Sequence, residues 1–284
     1  MMNAFEKEST QGYIPLQPEM AWCNAGYQEY KTPGDAHHIP ALFYQFRSKD
    51  VESPEFVAIP DGHVDMLFCC DASQPDIQVY GSVLSRHTIL LKRNTDYFGV
   101  RFLSLHMTGK SNIEMKDLIS HSCSLLDFIK ISPRSIEPIY TAATFTEKIR
   151  FFQETLGEVL TIQQDSRLIR FALNQMIISK GNMSVKDLAS ETAYSERYLR
   201  KQFEHFVGLS PKVFGQITRF QHALNGLMTV PQASAIWETI SEHADYYDQA
   251  HFINEFKKFY QETPHAWMKL HSSHLSNVFS FDVT

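Results

Sequence analysis

The chain has 284 residues, enough for two domains that each bury a core. Its 43% apolar and 20% charged content fit an ordinary soluble globular protein, and its net charge of −6 counts against unspecific polyanion binding. The longest apolar runs, such as Val64 to Cys70, are broken by Asp65 and too short to span a bilayer. The start, Met-Met-Asn-Ala-Phe-Glu-Lys-Glu, lacks the basic opening and apolar centre of a secretory signal. The expectation is a cytoplasmic protein without membrane contact.

Residues 1–25 read as an irregular lead-in, with Pro15 and Pro18 breaking any helix. Short β-like runs follow at Ala41–Arg47, Glu55–Ile59, Val64–Cys70, Ile77–Tyr80, His87–Leu91 and Tyr97–Phe102. Pro33-Gly34, Pro60-Asp-Gly62 and Gly81-Ser82 punctuate them. Strands without intervening helices predict an antiparallel barrel or sandwich, hence an α+β chain. Cys69 and Cys70 would point to opposite faces of their strand, and Cys23 and Cys123 pair with neither at a Cys-x-x-Cys spacing. All four read as free thiols in a reducing compartment.

A helical tail follows this module, with short helices predicted at Ser111–His121 and Ser124–Lys130. In Thr146–Leu160, Phe145, Ile149, Phe152, Leu156 and Val159 recur at helical spacing and make a narrow apolar stripe. Ile149, Phe152 and Leu156 are its candidate dimerisation residues, with packing on the chain's own core as the alternative. Thr161–Asp165 reads as a joint, dividing a β-rich sensor or dimerisation domain (1–161) from a helical domain (162–270) and a tail (271–284). The two parts differ in charge: 14 Lys/Arg against 20 Asp/Glu in 1–161, but 12 against 11 in 162–270. A helix near Asp165–Ser179, capped by Asp165 or Ser166, would end at Gly181.

Met183 to Phe203 carries the strongest pattern. Ser184 can cap a helix to Thr192 that buries Val185, Leu188 and Ala189, the small alanine letting a second helix cross closely. Ser195 can cap that second helix, with Tyr198, Leu199, Phe203 and Phe206 inward and Arg197, Arg200, Lys201 and Glu204 outward. Arginine matches the guanine acceptors of the major groove, and lysine serves phosphate or guanine. A second unit repeats the plan, with Ile240-Ser241 in its first helix, Asp248 or Gln249 at the next helix start and Phe252 and Phe256 inward. Ser210-Pro211 closes the first unit and Thr263-Pro264 the second.

Leu188-Ala189, Ser195, Leu199, Phe203, Gly208-Leu-Ser-Pro211, Arg219, Ala223, Phe252, Phe256 and Pro264 together resemble the DNA-binding domain of the AraC/XylS transcription regulators over roughly residues 168–270. The resemblance implies a two-lobed helical domain bridged by Lys212–Leu227, with each recognition helix in a major-groove segment of promoter DNA. Carried over by position, the DNA-facing residues are Ser195, Arg197, Tyr198, Arg200, Lys201 and Glu204 in the first unit. In the second they are Gln249, Ala250, Ile253 and Asn254, with Lys257 and Lys258 at phosphates. The chain departs from the family in both turns, where Ala193 and Asp245 replace the usual glycine. An arginine expected near Asn254 is missing, and Gln261 stands where glycine is common. The second unit therefore reads as the weaker one.

Ile59 to Phe68 and Phe98 to Phe102 look like an N-terminal module of the same family whose ligand is generally unassigned. His63, Asp65 and Arg101 are its candidate ligand residues, with a structural ion pair from Arg101 to Asp61 or Asp65 as the alternative. His37, His38, His63, His87 and His106 lack the His-x-His spacing of a metal site, and no nucleophile elbow or phosphate loop occurs. The expected partners are promoter DNA, a small-molecule effector, RNA polymerase and a second copy of the chain. No cofactor, metal or enzymatic activity is expected. The alternative reading is a protein-interaction module with a degenerate DNA-binding domain.

Overall fold

The computed structural model describes residues 15–33, 40–71, 73–103, 111–160, 167–230, 235–244, 246–272 and 274. Strands β1 (Ala25–Thr32), β2 (Ala41–Arg47), β4 (Val64–Cys69), β5 (Asp76–Tyr80), β7 (Asp96–Phe102) and β8 (Ser122–Ser124) form one antiparallel sheet in the order β1-β2-β7-β4-β5-β8. Strands β3 (Glu55–Ala58) and β6 (His87–Leu90) pair separately. The module is thus an open pair of sheets rather than a closed barrel, and α+β with the helices that follow. All six predicted strands are present. β1 and β8 were missed: β1 is an edge strand exposed along most of its length, and β8 has three residues, so neither shows an alternating apolar pattern.

Pro18 starts a helix instead of breaking one: α1 (Pro18–Cys23) has it in the first turn, where no N–H is needed. Downstream, only α2 (Met115–Leu118) and α3 (Leu125–Phe128) form within the two predicted short helices. An unpredicted helix, α4 (Pro133–Thr141), contains Pro138. α5 (Phe145–Leu156) carries a capping box between Thr144 and Glu147, and a 3₁₀ turn continues it over Gly157–Leu160.

The apolar stripe of α5 packs on the chain's own sheet. Phe152 is fully buried, edge-on to Phe43 at 5.6 Å and to Phe68 at 6.2 Å, and Leu156 is buried in the same core. Ile149 is half-buried against that core. A wide sheet face needs a cover more than a short stripe needs a second copy, so this candidate dimer surface is taken up within the chain.

The helical part comprises α6 (Arg167–Ile178), α7 (Val185–Thr192), α8 (Glu196–Val207), α9 (Pro211–Leu227), α10 (Ile236–His243), α11 (Gln249–Tyr260) and α12 (Pro264–Leu270). Leu199, Phe203, Phe220, Phe252, Phe256 and Trp267 share one core with Val57 and Ile59 from the β-rich part. His271, expected to begin a loose tail, is instead buried against α1. Residues 161–166, which include the expected joint Thr161–Asp165, lie outside the described residues, as do Asp245, His37, His38, His106 and residues 275–284. Among the described residues no helix is long and apolar enough to cross a membrane.

Replacing Phe152 with Ala should lower unfolding free energy by about 3–5 kcal/mol, the range for emptying an aromatic core site. Denaturant unfolding, with self-association monitored by sedimentation, would show that loss with no change in oligomeric state.

Candidate nucleic-acid interface and the cavity behind it

Each unit pairs an eight-residue helix, α7 or α10, with a twelve-residue one, α8 or α11. Ser184 accepts from the Asp187 N–H and the Asp187 carboxylate returns to Ser184, so α7 begins with a capping box. The hydroxyl of Ser195 accepts from the Tyr198 N–H at 3.2 Å and starts α8, so this predicted contact residue caps its own helix. Asp248 starts α11 by accepting from the His251 N–H at 2.7 Å. Between α7 and α8, Ala193 is left-handed at φ 58°, as is Gln261 at φ 69° after α11. A side chain costs about 1 kcal/mol in that region relative to glycine, so these two of the three expected glycine positions hold strain.

Arg197, Arg200, Lys201 and Glu204 are exposed on α8, as predicted. Tyr198, placed inward as well as among the DNA-facing residues, is 42% exposed and stacks on Tyr194 at 5.1 Å. The inward row is Leu199, Phe203, Phe206 and Val207, and position 198 falls to its side. Arg200 holds Glu196 at 2.7 Å, an exposed pair worth at most about 1 kcal/mol and easily exchanged. On α11, Gln249, Ala250, Asn254, Lys257 and Lys258 are exposed and Ile253 is half-buried. Lys258 donates to Gln216 Oε1 at 3.0 Å.

α9 joins the units. Phe214 meets Phe203 of α8, and Phe220 packs on Phe256 and Phe259 of α11. Arg219 makes a bidentate pair with the buried Glu255 of α11, both contacts 2.9 Å, and its guanidinium also lies over Tyr246. That pair holds Arg219 above its ordinary pKa against the opposing effect of burial.

The β-rich part grips the C-terminal ends of α8 and α11 and leaves their N-terminal halves open. After α8, Gly208 sits at φ +78° with the Met115 carbonyl of α2 where a side chain would be. At the end of α11, the Arg86 N–H donates to the Phe259 carbonyl at 2.7 Å, and its guanidinium lies over Tyr260. Glu19 of α1 receives His271 at 3.3 Å and Arg86 at 3.9 Å, and Trp22 stacks on His274. Gln221, buried in α9, donates to the Pro60 carbonyl at 2.7 Å and accepts from the Leu16 N–H. These contacts had no signal in the sequence apart from a glutamine on the apolar side of a helix, because each joins residues distant along the chain.

Behind the two grips lies a cavity of about 330 Å³. The three predicted ligand residues, His63, Asp65 and Arg101, all line it. The structural ion pair is also present: Arg101 Nε lies 2.9 Å from Asp65 and 3.3 Å from Asp61. Tyr44, laid across the bare backbone of Gly99, donates its hydroxyl to Asp65 at 2.8 Å. Gln17 donates to Asp61 at 2.9 Å and exchanges hydrogen bonds with Ile59. Burial raises the pKa of both carboxyls, opposed by Arg101; burial lowers that of Arg101, but the two carboxylates more than offset it. Burial lowers His63 to about 4, so the ring is neutral and its Nδ1–H donates to the Asp61 carbonyl at 2.8 Å. Among the described residues no three His, Cys, Asp or Glu side chains gather as a metal site.

The Helix-turn-helix domain family model matches residues 188–270. No curated protein sequence matches the chain. Similar solved structures include ToxT from Vibrio cholerae at 11% identity and TM-score 0.42, covering 87% of this chain and 98% of that one. ToxT from Vibrio cholerae O395 has 12% identity and TM-score 0.41, covering 86% and 97%. Unsaturated fatty acid-bound ToxT from strain SCE256 has 13% identity and TM-score 0.38, covering 84% and 96%.

His63 should make stability fall with acid. The unfolded imidazole takes a proton near its ordinary pKa of 6.5 while the folded one resists until about 4, so stability is lost as pH drops through that window. Its full weight is about 3 kcal/mol. The carboxyl pair, with raised pKa values, works in the opposite sense. Unfolding of His63→Gln against the parent across this window should therefore show a flatter acid loss in the variant. Residues 188–270 match a helix-turn-helix domain, and within them the N-capped helices α8 and α11 stand on one bridging helix, α9.

Proposed function

We propose that the chain is a sequence-specific transcription regulator that binds promoter DNA through α8 and α11 and answers to a small effector in the cavity. The observation that carries this reading is the repeated unit. Two N-capped helices are anchored on α9, and each presents an open N-terminal half, the part that meets base edges in this motif. Residues 1–161 act as sensor and 162–270 as reader. Arg200 exchanges Glu196 for a guanine, with Arg197 and Lys201 at bases or phosphates. α11 offers Gln249 and Asn254 to bases and Lys257 and Lys258 to the backbone. The reading places the protein in the cytoplasm with DNA, and RNA polymerase as its further partner.

The cavity wall supports a route from effector to DNA. Gly81, Val83 and His87 line it next to Arg86, which grips α11; Ser120, His121 and Ser122 line it next to α2, which grips α8. The two segments are tied by Gly81 N–H to the His121 carbonyl at 3.1 Å and Ser120 N–H to the Ser82 carbonyl at 3.0 Å. An occupant that favours one position of these joined segments shifts both grips together, which is what a ligand must do to change DNA affinity.

Selection of DNA sequences by the full-length chain tests the reader, and no enriched sequence would favour the protein-interaction alternative. On the selected site, Arg200→Ala should weaken binding by roughly ten- to a hundredfold, the 1–3 kcal/mol of a base-reading arginine. Asn254→Ala should cost less in the same gel-shift titration. Equal losses would contradict the unequal roles of the two units.

A further inference from the structure

We propose that the cavity receives a small organic cation, a primary amine or amidinium on a compact apolar body, with Asp65 and Asp61 taking its charge. This rests on reading the cavity as the effector site. The charge balance of the wall carries the inference. Two carboxylates, Asp61 and Asp65, face one guanidinium, Arg101, and no lysine lines the cavity. An arginine already engaged by two carboxylates offers little to an incoming anion, whereas the surplus carboxylate favours a partner that brings positive charge.

Accessibility decides which group the ligand meets. The side chains of Arg101 and Asp61 are 3% and 5% exposed, but that of Asp65 is 18% exposed. Asp65 is therefore the most open of the three charged groups, with one oxygen accepting from Tyr44 and the other from Arg101. His63 adds an acceptor, because its Nδ1–H is spent on the Asp61 carbonyl and the other ring nitrogen of the neutral imidazole carries no proton. His87 and His121 are exposed. Phe56, Ile59, Leu67 and Ile89 supply apolar walls for the body of the ligand. At about 330 Å³ the space is at the small end of ligand pockets, which run from roughly 300 to 1,000 Å³, and suits a one-ring or short-chain molecule rather than a long acyl chain.

The test uses the full-length chain without DNA at neutral pH. Phenethylamine, tyramine and agmatine are compared with 3-phenylpropanoate, 4-hydroxyphenylacetate and 2-phenylethanol by thermal shift and calorimetric titration. The expected result is saturable one-site binding by at least one amine, with the acids and the alcohol at least tenfold weaker. Asp65→Asn should weaken that amine tenfold or more. The comparison of amines with acids on the parent protein stands even if the variant does not fold. Preferential binding of an acid or the alcohol, no binding by any of the three amines, or equal amine affinity in folded Asp65→Asn would each overturn the assignment. DNA selection on the same preparation separates the two readings. Specific DNA binding without amine binding defeats the cation alone, and amine binding without any enriched DNA sequence defeats the regulator reading.

Discussion

The arrangement of this chain depends on the burial of one helix. α9 buries eleven of its seventeen residues, and both α8 and α11 pack on it. Apolar packing fixes the first unit to α9; packing and a buried Arg219–Glu255 pair fix the second. A buried pair of this kind gives little net stability but tolerates few alternative geometries. It suits a helix that fixes α8 and α11 at one spacing. Gln221 extends the same constraint outward, since its buried amide has partners only if Leu16 and Pro60 stay in place.

From there the β-rich part follows. Pro60 leads into the Asp61-Gly62 turn and Leu16 into Gln17, whose amide reaches Asp61 at the cavity wall. A continuous set of hydrogen bonds thus runs from the bridging helix to the Asp61, Asp65 and Arg101 group. The loop around Arg86 and the segment after α2 make two further connections, ending on α11 and α8. The cavity touches all three routes, so a change of a few tenths of an ångström in its walls would reach α8, α9 and α11. Such a route needs two discrete arrangements of the grips rather than a continuous deformation.

Much of this was legible in the sequence because local chemistry dictates it. Ser184, Ser195 and Asp248 announce the helix starts, the spacing of Leu199, Phe203 and Phe206 announces the buried face, and alternation announces the central strands. The failures share a cause. β1 carries no alternation because both its faces are largely exposed, and Pro18 was read as a breaker although a first-turn proline has no N–H to lose. The stripe on α5 could not say whether it met another chain or its own sheet. The sheet's unmet apolar face, with Phe43, Phe68 and Phe98, decided it. The cavity trio was legible as charged and imidazole residues in apolar strands, but its balance of two carboxylates to one arginine needed the register that sets Asp65 opposite Arg101.

The central claim is that α9 holds two reading heads on one face of DNA. Hydroxyl-radical footprinting of the full-length chain on its selected site measures this most directly. The account predicts two protected segments about one helical turn apart, 10–10.5 base pairs, on the same face of the duplex. A single protected segment, or two on opposite faces, would contradict it.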